Sequence, residues 1–154
     1  MRISRFKSYN EAFDKPYKWK LQQSKRTVTS YSFQDDAGDV FEVHFHSIDD
    51  RRFADGERAH GVNLSFQKGG SWEQSEGGTP FRVLATVYAI VKDYEMQGED
   101  FLEIGMEKAE KSRVKLYNVM MKKLQKELKM PFWSIYEQHS VQFLTISRQE
   151  MTPG

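Results

Sequence analysis

Apolar residues change their spacing along this chain, and each change marks an element. Thr27 to Phe33 is rich in β-branched and aromatic residues, a composition that suits a pleated surface. Val40 to His46 alternates: Phe41, Val43 and Phe45 share one face, and Glu42, His44 and His46 share the other. Asp35-Asp36-Ala37-Gly38-Asp39 lies between the two runs. Asp holds a bend locally and Gly accepts positive φ, so the whole predicts an antiparallel hairpin. Ile48 to Gly61 is charged and without period, which predicts a surface loop. Gly61 to Gln67 alternates again through Val62, Leu64 and Phe66. Lys68 to Gly78 holds four glycines and one large apolar residue, Trp72, and reads as loop.

The period then lengthens. From Pro80 to Gln97, Val83, Leu84, Val87, Ile90, Val91 and Tyr94 recur at helical spacing. Thr79 suits the N-cap. Pro80 suits the first helical position, where a missing N–H costs nothing, and Gly98 stops the helix. Phe101 to Met106 is a short buried strand. Lys111 to Leu128 is a second helix, with Tyr117, Met120, Met121, Leu124 and Leu128 on its stripe, ended by Pro131. Phe132 to Tyr136 and Val141 to Ser147 close the pattern as a pair of strands. Ser8 to Phe13 has the makings of a short helix before Pro16. Residues 1–20 read as an N-terminal extension and 149–154 as a loose tail.

The predicted order is β-β-β-α-β-α-β-β. A strand-helix-strand unit sets its two strands parallel, and the other neighbours should be hairpins. The expectation is one α+β domain over residues 1–154, with a mixed, mostly antiparallel sheet covered by helices. A chain of 154 residues buries roughly 70% of its unfolded surface, enough for a real core.

Composition narrows the chemistry. The net charge of +1 lacks the basic excess of a dedicated nucleic-acid binder. The absence of cysteine excludes disulfides, thiolate metal sites and a cysteine nucleophile. No apolar run approaches the roughly 18 residues that span a bilayer. Met1 to Lys7 has basic residues without an apolar stretch, so no secretory signal is expected. Neither secretion by a signal peptide nor a membrane-spanning location is expected.

Four features carry candidate chemistry, each with a plainer alternative. Gly77-Gly78-Thr79-Pro80 can hold a phosphate at a helix start, or serve as a flexible loop and cap. Tyr117 can act as a general acid, or pack its ring on the Met120 and Leu124 stripe. Glu42, His44 and His46 can approach a metal, or line a wet strand face; no metal site is assigned. The lysines from Lys108 to Lys129 can meet an acidic partner, or form a solvated helix face.

The element order, with two local patterns, resembles the GNAT N-acetyltransferases over roughly residues 27–147. In that family a Gln/Arg-x-x-Gly-x-Gly/Ala loop opens the helix that holds the coenzyme A pyrophosphate. Gln74-Ser-Glu-Gly77-Gly78-Thr79 is similar, with Thr79 where Gly or Ala is usual. The next helix of the family often carries Asn-x-x-Ala-x-x-Leu-Tyr. Here Glu110-Lys-Ser-Arg113-Val-Lys-Leu116-Tyr117 keeps the Leu-Tyr pair. The resemblance implies that Gln74, Gly77, Gly78 and Thr79 bind the cofactor acetyl-CoA and that Tyr117 protonates the leaving thiolate. Glu76 and Pro80 depart from it, by adding a negative charge and removing a donor at the cradle. The phrases Phe81-Arg-Val-Leu-Ala-Thr-Val87 and Ser112-Arg-Val-Lys-Leu-Tyr117 also resemble small uncharacterised proteins of tailed bacteriophages. The expected function is therefore a non-catalytic bacteriophage protein on a GNAT-like scaffold, without a cofactor. It would act through a virion or host protein partner, with a homo-oligomer as a further option. The alternative is an acyl-CoA-dependent N-acyltransferase.

Overall fold

A computed structural model describes residues 15–68, 80–94, 98–107 and 111–152. The described elements run β1 (Trp19–Ser24), β2 (Val28–Gln34), β3 (Val40–Arg52), β4 (Arg58–Lys68), α1 (Pro80–Asp93), β5 (Phe101–Glu107), α2 (Lys111–Leu128), β6 (Phe132–Gln138) and β7 (Val141–Ser147). The strands form one seven-stranded sheet in the order β1-β2-β3-β4-β5-β7-β6. Every neighbouring pair is antiparallel except β4 and β5, whose connection passes through α1. The fold is α+β with a mixed, mostly antiparallel sheet.

The β2–β3 turn forms as its residues predict. The Asp35 carboxylate accepts hydrogen bonds from the backbone N–H of Ala37 at 3.0 Å and of Asp39 at 2.9 Å. Gly38 supplies φ 86°, a conformation costly for any residue with a Cβ.

The predicted loop over residues 48–61 is mostly strand. β3 runs on to Arg52 and β4 starts at Arg58, so the two make one long hairpin. Alternation fails there for a physical reason. The ladder shifts register between Ile48 and Arg51, which re-aims the side chains on either side of the shift.

Register separates the two faces of the sheet. Val62 and Leu64 pair with Leu102 and Ile104, which pair in turn with Ile146 and Leu144. These side chains share one face and join Val83, Leu84, Val87, Ile90 and Val91 of α1 and Met120, Met121 and Leu124 of α2 in one buried cluster. Burying each such side chain contributes roughly 1.5–3 kcal/mol before the entropy of ordering it. Phe45 stacks on Tyr94, centroids 4.1 Å apart, and so fastens β3 to the end of α1. Among the described residues neither helix lies on the opposite face. There Phe53, Ala59 and Phe101 form a small cluster of their own with Ile48 and Met151.

Both helix ends follow local rules. Thr86 donates its hydroxyl to the Arg82 carbonyl at 2.8 Å and accepts the Tyr17 backbone N–H at 2.8 Å, which ties the chain before β1 to α1. The described helix ends at Asp93 rather than Gln97, and Gly98 follows with φ 83°. After α2, Lys129 takes φ 56°, and the Met130 N–H reaches back to the Gln125 carbonyl at 3.0 Å.

Two peripheral expectations need correction. Trp19–Ser24 is a strand rather than part of an extension and its sequel; its polar residues mask the alternation because an edge strand is wet on both faces. Residues 149–152 are pinned, not loose. The Ala54 N–H donates to the Glu150 carbonyl, the Thr152 N–H donates to the Arg52 carbonyl, and Phe53 bridges Met151. The expected helix at Ser8 to Phe13 and residues 69–78 of the loop expected over 68–78 lie outside the described residues, and Lys68 ends β4.

Candidate functional site

The parallel pair at the centre of the sheet is short. β4 and β5 pair only from Gly61↔Phe101 to Leu64↔Ile104. Beyond that, β4 continues to Lys68 against β3, and β5 continues to Glu107 against β7. The two strands therefore part after Leu64 and Ile104. On the helix side, Phe66 of β4 meets Tyr117 of α2 edge to face, centroids 5.5 Å apart. Tyr117 is 5% exposed, so its ring is part of the core. The predicted cofactor-binding residues Gln74, Gly77, Gly78 and Thr79 lie outside the described residues, and the predicted catalytic Tyr117 is the one site residue placed.

His44 Nε2 lies 3.4 Å from Glu42 Oε2, and the rings of His44 and His46 lie 6.0 Å apart on the open face. Among the described residues no group of three or more His, Asp or Glu is arranged to hold a metal ion. No described helix is long and apolar enough to cross a membrane.

The most constructed polar site is elsewhere, and its residues carry no motif. β5 aims Glu103 at the open face, where it is 2% exposed. Three groups compensate its charge. Arg51 Nη1 lies 2.9 Å from Oε2, the Tyr136 hydroxyl donates to Oε2 at 3.1 Å, and Asn63 Nδ2 donates to Oε1 at 3.1 Å. Arg51 Nη2 also donates to the Tyr136 hydroxyl at 3.0 Å, and its guanidinium lies 5.5 Å from that ring's centroid. Tyr136 stacks on Phe143 at 4.9 Å. One arginine from β3 thus bridges β5 and the edge strand β6.

The electrostatics favour a fixed structure over proton transfer. Burial raises the Tyr136 pKa, and Glu103 raises it further, so the phenol stays a neutral donor. For Arg51, burial opposes the charge but Glu103 and Tyr136 outweigh it, and its pKa is raised. A neutral phenol beside an ion-paired guanidinium offers neither a general base nor an activated nucleophile.

This network borders a cleft of about 440 Å³ whose lining includes Arg51, Ser134, Tyr136, Thr145 and Met151. Thr145 Oγ1 is buried and, among the described residues, has no hydrogen-bond partner. A buried unpaired hydroxyl costs about 1–3 kcal/mol. Thr145→Val is therefore expected to stabilise the protein by about 1 kcal/mol, read as a higher urea midpoint. A lower midpoint would show that the hydroxyl is satisfied after all.

Near the start of β5, burial raises the Glu99 pKa, Asp100 adds to the rise and His60 opposes it. A carboxyl raised on folding favours the native state below its unfolded pKa and loses that contribution as pH climbs through the folded pKa. Glu99→Gln should melt with the parent below the ordinary value of 4.5 and above it at neutral pH. Equal melting temperatures at pH 7 would contradict the assignment.

Sequence reasoning missed Arg51, Asn63 and Tyr136 because nothing local distinguishes them. Glu103 did leave a signal, as the one charge between apolar neighbours in Phe101-Leu102-Glu103-Ile104. No family model, curated protein or solved structure matches this chain.

Proposed function

We propose that this chain is a non-catalytic protein-binding module on a GNAT-like scaffold, with its partner in a bacteriophage virion or in the host. The observation that carries this reading is the sheet edge at β6. Phe132 is 44% and Ile135 49% exposed on this outermost strand. An apolar strand edge accepts a partner through backbone pairing and side-chain burial. The buried setting of Tyr117 and the fully compensated Arg51–Glu103–Tyr136 network agree with a protein that does not turn over a substrate.

One observation favours a second reading, the acyl-CoA-dependent N-acyltransferase. The gap where β4 and β5 part leaves strand edges that suit the amides of a pantetheine arm. In that reading Gln74, Gly77, Gly78 and Thr79 hold the pyrophosphate and Tyr117 protonates the thiolate.

Thermal-shift titration with acetyl-CoA and with CoA separates the two. The protein-binding reading expects no shift. The enzyme reading expects about 2.7 kcal/mol at 100 times the Kd, several degrees in Tm, abolished by Gly78→Glu. That pattern would replace the first reading with the second.

A further inference from the structure

The two edges of the sheet are built differently. β1 carries Lys20, is flanked by Lys18 and Lys25, and shifts register between Leu21 and Gln23. Charge and a bulge are what keep a strand edge from pairing. β6 has no lysine, carries one charge, Glu137, and follows Pro131, but its register against β7 is unbroken from Phe132↔Ser147 to Gln138↔Val141. We propose that β6 pairs antiparallel with β6 of a second copy of this chain, about a two-fold axis through Ile135. One sheet then runs across the dimer. The inference rests on the protein-contact reading above and names a partner for the β6 edge.

Strand length and backbone phase together select that axis. The β6–β7 turn has two residues, His139 and Ser140, with His139 at φ 59°. Gln138 and Val141 close such a turn as a hydrogen-bonded pair, and alternate pairs back to Phe132 and Ser147 follow suit. The backbone groups of Trp133 and Ile135 therefore aim outward. A symmetric pairing can be centred on any residue of β6, but only an outward-aimed centre exchanges hydrogen bonds with its twin, and only Ile135, the middle of the strand, pairs all seven residues.

Three outward-aimed centres can be compared. Centring on Trp133 sets Ile135 opposite Pro131, which has no N–H to give. Centring on Glu137 sets two carboxylates directly opposite each other, which is destabilising. Centring on Ile135 avoids both. Ile135 exchanges two hydrogen bonds with its twin, Trp133 comes opposite Glu137, and on the other face Ser134 comes opposite Tyr136. The half-exposed Ile135 side chain is then covered by an identical one.

Analytical ultracentrifugation of the full chain, from low micromolar to near-millimolar concentration, tests this. The expected result is a mass rising from one 18.1 kDa chain toward two. Ile135→Pro removes an outward N–H and no bond to β7, and should weaken the dimer about a hundredfold or more. Circular dichroism and a melt check that the variant folds. If it does not, Ile135→Lys takes its place. Glu137→Gln should leave the dimer within about twofold, since the axis keeps the two carboxylates apart. A chain that stays single throughout overturns the inference, as does a dimer indifferent to both Ile135 variants. A dimer much tightened by Glu137→Gln overturns the Ile135 axis. A single chain that also ignores coenzyme A leaves the protein-contact reading standing without this partner. A coenzyme A shift removes that reading whatever the mass.

Discussion

Arg51→Met should lower the stability of this protein by about 3–5 kcal/mol, the range for removing one partner of a buried ion pair. The Glu103 side chain is 3% exposed, so without Arg51 its charge stays in a poorly solvated place with two neutral donors. The same change removes the donor to the Tyr136 hydroxyl and the cation beside its ring, which loosens β6. Urea denaturation at neutral pH would show the loss as a lower midpoint at constant slope. The melting temperature should fall by about 10 °C or more. The double variant Arg51→Met, Glu103→Leu should recover most of the loss, because replacing a whole buried pair by apolar groups is often close to neutral. Equal damage in the single and double variants would mean that the ion pair is not the cause.

Gly61→Val should cost about 3 kcal/mol by overpacking. Gly61 is paired directly with Phe101, and a Cβ built at Gly61 falls 2.5 Å from the Phe101 ring. The ring is fully buried in the cluster with Phe53 and Ala59, with the Arg51 guanidinium 6.0 Å from its centroid, so it has little room to withdraw. Shrinking the ring should relieve the clash. In a double-mutant cycle with Phe101→Leu, the two changes should couple favourably by at least about 1 kcal/mol. Strict additivity would show that the strand moves as a whole instead. The position is glycine because the ring lies over the backbone, not because the backbone needs an unusual φ.

Both predictions concern features that no motif announced. Arg51 and Tyr136 stand 85 positions apart. Within the sequence, Arg51 is one charge among Asp49, Asp50 and Arg52, and a charged run reads as loop. It became strand because the β3–β4 ladder carries it past a register shift toward Glu103. The polar strand β1 was equally illegible, since a strand at the rim buries neither face fully.

Where one face is buried, the sequence was readable. Phe41, Val43 and Phe45 alternate because every second residue must reach the core. The stripes of α1 and α2 repeat as they do because a single helix face is covered. The α+β class and most strand and helix positions therefore follow from local periodicity, and the Asp35 turn from its Asp and Gly residues. Strand order does not, because the same alternation serves a central strand and an edge strand alike. Only the assembled sheet decided that Phe132 and Ile135 stand at a border with their surface half exposed, and that Glu103 finds an arginine and a tyrosine beside it.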